Sequence, residues 1–188
     1  MLYAATLFDN NGDKLMIYKT AMSQFPNDWR GFNDAGMIEF ELGQVNEAKA
    51  NFEKADKLSA NNKVVKNNLG AIELKNGNVK EAEVLFGAAT GAGNEVNYNK
   101  GIVAIMKGDY KAAVDYFGKC NCENAALANL LAGNNNEAAK KLNESKSDSA
   151  LSDYLKAIVA ARNNDTNAVL ANLKNACAKD ANLKNSCY

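Results

Sequence analysis

Four cysteines, at positions 120, 122, 177 and 187, are the side chains best suited to chemistry in this 188-residue chain. Zinc sites use two close cysteine pairs, or cysteines with histidine partners. The chain has no histidine, and Cys120-Asn121-Cys122 fits zinc spacing poorly, so neither a metal nor a cofactor is expected. A redox pair ordinarily reads Cys-x-x-Cys, which is also absent. Cys120 stands in step with Ala55 and Ala89, so its expected role is a buried small hydrophobe. Cys177 and Cys187 are left open: they pair if the tail folds back in an oxidising compartment.

Carboxylates offer a second kind of chemistry. Glu39 with Glu41, and Glu81 with Glu83, are neighbours in sequence. At a spacing of two they point to different faces of a helix and cannot share a reacting atom. Histidine, the commonest general base, is missing. The run Gly87 to Gly93 invites comparison with a phosphate-binding loop, but no Gly-Lys-Ser/Thr follows it and no strand precedes it. It is expected to be a helix end and a turn. The chain is therefore expected not to be an enzyme.

Composition narrows the field further. Lys+Arg and Asp+Glu stand at 22 each, so the basic footprint of a nucleic-acid binder is missing. No apolar run approaches the roughly 18 residues of a membrane span, and the start has neither the basic region nor the apolar stretch of a secretory signal. One proline suits a chain that is nearly all helix. Asparagine is over-used, and this excess is read as compositional drift rather than as a side-chain ladder.

The elements come from a repeat. Gly36, Gly43, Ala48, Phe52 and Ala55 return 34 residues later as Gly70, Gly77, Ala82, Phe86 and Ala89. A fixed period of this size marks stacked helical units. Each unit reads as two helices with a glycine midway along the first and a large ring in the second. Antiparallel helices cross closely where a small residue meets such a ring. A third unit keeps Gly101, Gly108, Ala113 and Phe117. A fourth keeps Gly133, Ala138 and Leu142. A fifth keeps Ala157, Val169, Leu173 and Ala176, with Asn164 in place of the turn glycine. Ahead of these, residues 1–10 read as a helix ended by Gly12, and a second helix follows over 13–24. Asp28 is placed to cap the helix after Pro26.

This pattern resembles the tetratricopeptide repeat family. Ala35-Gly36, Gly43-Gln44-Val45-Asn46-Glu47-Ala48, Phe52 and Ala55 carry the resemblance, and Leu69-Gly70, Gly77 to Ala82, Phe86 and Ala89 repeat it. It implies an all-α, right-handed α-α superhelix of about five to six antiparallel helix pairs. The expected organisation is a single solenoid over 1–188. Its repeats are 1–27, 28–61, 62–92, 93–121, 122–147 and 148–179, with a cap at 180–188. Because the first unit starts partway through, the chain is expected to be a fragment of a longer one. The resemblance also implies a concave groove, lined by first helices, that takes a peptide or protein partner. Carried over by phase, the groove holds Arg30, Asn33, Met37, Glu41, Asn67, Lys75, Tyr98, Ile102, Met106, Leu127, Tyr154 and Arg162. Phe40, Leu130 and Ile158 share that face. Members that clamp acidic chaperone tails place cationic and amide residues where this chain has Asn33, Met37, Val64, Asn68, Glu95 and Asn99. Only Asn68 fits, so that ligand is disfavoured.

A non-catalytic interaction scaffold is the expected function. The alternative is a structural or oligomerising segment of a larger cell-envelope protein, self-associating through an apolar edge at Leu2, Ala5 and Leu7. Neither nucleic acid nor direct membrane insertion is expected. The asparagine-rich, histidine-free character loosely resembles tetratricopeptide segments of Bacteroidetes-type envelope proteins, some with an OmpA-like domain. That favours the periplasm or outer membrane over the cytoplasm.

Overall fold

The structure, a computed structural model, describes residues 8–180 and 182. Eleven helices and no strand occur among the described residues. In chain order they are α1 (Asn11–Gln24), α2 (Trp29–Glu41), α3 (Val45–Leu58), α4 (Lys63–Lys75), α5 (Val79–Ala88), α6 (Asn94–Lys107), α7 (Tyr110–Phe117), α8 (Glu123–Leu131), α9 (Asn135–Ser145), α10 (Ala150–Arg162) and α11 (Thr166–Lys179). The all-α fold expected from the repeat is the one observed. The helices fall into two compact units, Met1–Asn99 and Lys100–Tyr188, with the boundary inside α6. The apolar edge at Leu2, Ala5 and Leu7 lies outside the described residues.

Side-chain caps fix the starts of many helices. Asp28 accepts from the Arg30 N–H at 3.0 Å, and Asn62 accepts from Val64 and Val65. Asp109, Ser149 and Asp165 do the same for α7, α10 and α11. Each such cap contributes about 1 kcal/mol. The first helix of each pair ends in one recurring motif. Gly43, Gly77, Gly108 and Gly133 take φ between 77° and 84°, and Asn164 takes φ 58°. The residue after each donates its N–H back five positions, as in Gln44 to Glu39, Asn78 to Glu73 and Asp165 to Ala160. That bond satisfies a carbonyl which a helix end otherwise leaves without a partner. The motif recurs five times, so the shorter and looser fourth and fifth pairs keep the phase of the first.

The crossing within each pair follows size complementarity. A Cβ built at Gly36 would lie 2.8 Å from the Phe52 ring, one at Gly70 2.6 Å from Phe86, and one at Gly101 2.7 Å from Phe117. All three distances are too short for a real contact. In the fourth pair the same two places are held by Ala126 and Leu142, buried in one cluster. A smaller partner on the second helix leaves room for a methyl on the first. In the first unit Ala48, Phe52, Ala55, Val65, Leu69 and Ile72 form a continuous core. The second unit has one core around Phe117 and Ala125 and another around Leu142 and Leu155.

Two buried carboxylates join neighbouring pairs in the first unit. Glu73 on α4 accepts from Lys49 Nζ on α3 at 2.7 Å and from Asn78 Nδ2 at 2.7 Å. One repeat earlier, Glu39 on α2 accepts from Asn51 at 2.6 Å and faces Lys19 of α1 at 3.6 Å. The Lys49 and Asn78 hydrogen bonds hold the Glu73 carboxyl below the usual range, and Glu73 in turn raises Lys49.

Four features depart from the sequence expectations. Gly12 does not end a helix: α1 begins at Asn11, because Asn10 caps it by accepting from the Asp13 N–H at 2.8 Å. Cys120 is not on α7, which stops at Phe117 where Gly118 turns with φ 46°. Nor is Cys120 a free hydrophobe: it forms a disulfide with Cys122, their Cα atoms 5.4 Å apart. Cys177 is also disulfide-bonded, whereas Cys187 lies outside the described residues. Finally, asparagines do pair between repeats.

Candidate protein-binding face

Positions 30, 34, 37 and 41 of α2, and 64, 68, 71 and 75 of α4, follow alternating four- and three-residue spacing, so each row runs along one side of its helix. The adjoining side is spent on the core through Ile38, Val65, Leu69 and Ile72. What remains faces outward: Arg30, Met37 and Glu41 on α2, and Val64 and Lys75 on α4, are exposed. Met37 and Val64 each keep 44% of their surface, and Tyr98 on the following first helix keeps 36%.

Amides set the first helices of the first unit side by side. Asn68 Nδ2 donates to Asn33 Oδ1 at 2.8 Å, and Asn99 Nδ2 donates to Asn67 Oδ1 at 3.0 Å. Asn33 and Asn67 occupy one repeat phase, and Asn68 and Asn99 the next. The same bond therefore links α2 to α4 and α4 to α6. Asn33 is buried, and its amide nitrogen contacts Asp34 Oδ1 at 3.1 Å and Met37 Sδ at 3.7 Å. Burial pushes the Asp34 carboxyl above the usual range, against the pull of Asn33 and Arg30. Asn67, Asn68 and Asn99 are half-buried. Arg30 forms a two-pronged pair with Asp28, at 2.6 Å from Nη2 and 2.9 Å from Nε. Glu41 accepts from Asn11 at 3.2 Å.

In the second unit the first helices expose the large apolar side chains Met106 (53%), Leu131 (40%), Leu151 (42%) and Tyr154 (43%). Ile102, Leu127 and Ile158 are half-buried. Leu130 is buried in the core. Arg162 projects from the end of α10, where Nη1 donates to the Leu130 carbonyl at 2.7 Å, a second donor beside the Gly133 N–H at the end of α8. Arg162 and Asn33 are engaged within the fold; Met37, Tyr98, Met106 and Tyr154 are exposed. Val64, Leu131 and the two asparagine bonds complete this inventory. The bonds could have been read from Asn33, Asn67, Asn68 and Asn99 once those four were put in repeat phase.

Among the described residues no group of three or more Cys, Asp or Glu side chains is placed to hold a metal. Glu39 is buried and engaged by Asn51, while Glu41 is exposed on the row described above.

Residues 30–62 match the tetratricopeptide repeat family model. That segment carries the sequence pattern of one tetratricopeptide repeat. The tetratricopeptide fold extends well beyond that segment, as likeness to solved structures shows. Over 92% of this chain, the Cut9–Hcn1 hetero-tetramer of the APC/C superposes with a TM-score of 0.80 at 15% identity. This chain spans only 37% of that one. PilW, a widely conserved type IV pilus biogenesis factor, matches with a TM-score of 0.78 at 17% identity, over 95% of this chain and 91% of its own. YrrB, a tetratricopeptide protein with an unusual peptide-binding site, matches with a TM-score of 0.64 at 18% identity, over 87% of this chain and 92% of its own. No curated protein matches in sequence. Tetratricopeptide proteins generally act as interaction scaffolds that bind proteins or peptides. No helix among the described residues is long and apolar enough to cross a membrane.

Proposed function

We propose that this chain is a non-catalytic scaffold whose first-helix face in the first unit binds an extended segment of a partner protein. The observation that carries the proposal is the combination on one face of Met37, Val64 and Tyr98 with the half-buried amides of Asn67, Asn68 and Asn99. An extended backbone leaves its N–H and C=O groups without partners, and an amide side chain both donates and accepts. The methionine and the ring add contact area that adapts to varied side chains. In the second unit Met106, Leu131 and Tyr154 supply a comparable apolar set.

The double variant Met37→Ser/Tyr98→Ala tests this. Both residues lie at the surface, so the melting midpoint should hold to within a few degrees. Binding of the native partner should fall by about tenfold or more, as for loss of interface anchors. Undiminished binding in a titration of the variant would remove this face from consideration.

A second reading rests on α1 and its C-cap, where Met16 keeps 64% of its surface and Phe25 56%. Those side chains suit a self-associating or structural segment that packs against a second copy. As to location, the Cys120–Cys122 disulfide supports an oxidising compartment such as a bacterial periplasm.

A further inference from the structure

The segment between α7 and α8 carries a disulfide whose ring encloses a single residue, Asn121. In the chain-entropy view a disulfide stabilises in proportion to the logarithm of the loop that it closes, so a ring this small restrains the unfolded chain least. The joint is also held without it. The Cys120 N–H donates to the Phe117 carbonyl at 2.8 Å. The buried Lys141 ammonium donates to the Gly118 carbonyl at 3.1 Å and to Asn121 Oδ1 at 3.3 Å. In the two earlier repeats the place of Cys120 is taken by Ala55 and Ala89, both fully buried.

The two sulfurs are not equivalent. Cys122 is the N-cap of α8: its carbonyl accepts from the Ala126 N–H at 3.1 Å, and its side chain caps nothing. A thiolate at a helix N-terminus is stabilised by the free N–H groups and the dipole. The Lys141 charge is bonded to the same segment and does not distinguish the two sulfurs. Both cysteines are half-buried rather than sealed in the core.

We propose that Cys120–Cys122 is a thiol–disulfide exchange site, reversibly opened by a thiol reductant, with Cys122 as the leaving thiolate. The thiolate of the reductant attacks Cys120 Sγ. A sulfur–sulfur bond forms between them, the Cys120–Cys122 bond breaks, and its electron pair leaves on Cys122 Sγ. A second reductant thiolate then attacks the reductant sulfur of this mixed disulfide, releasing Cys120 as a thiolate and the reductant as its own disulfide. Two thiols are oxidised to one disulfide, the protein disulfide is reduced to two thiols, and the two protons pass from reductant to protein. The helix N-terminus beneath the leaving sulfur sets the direction of attack.

Single variants of the full chain test the asymmetry. In Cys120→Ala the Cys122 thiol should react with iodoacetamide at mildly acidic pH about tenfold or more faster than the Cys120 thiol in Cys122→Ala. In wild type, glutathione should open the bond about tenfold or more faster in the folded chain than in urea, read by alkylation and mass spectrometry of the 120–122 peptide. Equal alkylation rates, or opening no faster when folded, would overturn the proposal. The double variant Cys120→Ala/Cys122→Ser should keep the melting midpoint to within a few degrees. A large fall would make the bond a structural staple and overturn the proposal as well.

Discussion

Gly70→Leu should destabilise the first unit by about 1–3 kcal/mol or more, because even a Cβ there falls 2.6 Å from the Phe86 ring. The side chain has no route of escape. Position 70 sits at the crossing of α4 and α5, and Phe86 is fully buried. Leucine is the better helix former by roughly 1 kcal/mol, so the measured loss understates the overpacking. A rescue follows from the fourth pair. Gly70→Ala and Phe86→Leu should each destabilise alone, the first by crowding and the second by leaving a cavity. Together they reproduce the Ala126 and Leu142 pairing of the second unit. Their combined cost should fall short of the sum by about 0.5 kcal/mol or more, the range expected of residues in contact. Thermal melts of the four chains give the comparison. Strict additivity would mean that the ring and the glycine do not face each other.

Lys49→Met should cost about 1–3 kcal/mol at neutral pH, since it removes a 2.7 Å partner from the buried Glu73 carboxylate and leaves Asn78 alone on it. The sign with pH follows from the shifts. The folded state holds Glu73 below its ordinary value of 4.5, so the stability it contributes is present above that value. It is lost as pH falls through the lower folded value. The gap between wild type and variant should therefore narrow in acid. At the alkaline end Lys49 is raised above 10.5, and its contribution disappears as pH rises through the folded value. Urea melts across pH decide the matter: a gap that widens in acid would contradict the pairing.

Most of the helical frame was legible because close packing leaves a strict trace. Gly36, Gly70 and Gly101 are forced by rings, and rings at a fixed period are visible in a linear chain. The turn positions were equally clear, down to Asn164, since few residues accept a positive φ. What was missed depends on contacts that sequence spacing alone does not fix. Asn33 and Asn68 are polar and unremarkable one at a time, and they pair only across repeats. Glu39 was weighed against its sequence neighbour Glu41, and Glu73 was not singled out, whereas their partners Asn51 and Lys49 lie on another helix. Gly12 looked like a turn because Asn10, an equally good cap, was given to the preceding helix. Cys120 followed Ala55 and Ala89 in phase, but α7 stops at Phe117, and the freed segment brings Cys120 to Cys122. Met37, Tyr98 and Tyr154, chosen by phase, are exposed. Phase did not foresee that Arg162 would be drawn to the Leu130 carbonyl.

Site-specific photocross-linking in the native cells tests the binding face most directly. A photoreactive residue would be placed in turn at Met37, at Tyr98, at Met16 and at Val84, the last an exposed position on the second helix α5. Adducts to one partner protein at positions 37 and 98, and none at 84, are the predicted result. Adducts confined to position 84, or self-adducts at position 16 with none at 37 or 98, would contradict a scaffold that binds through its first helices.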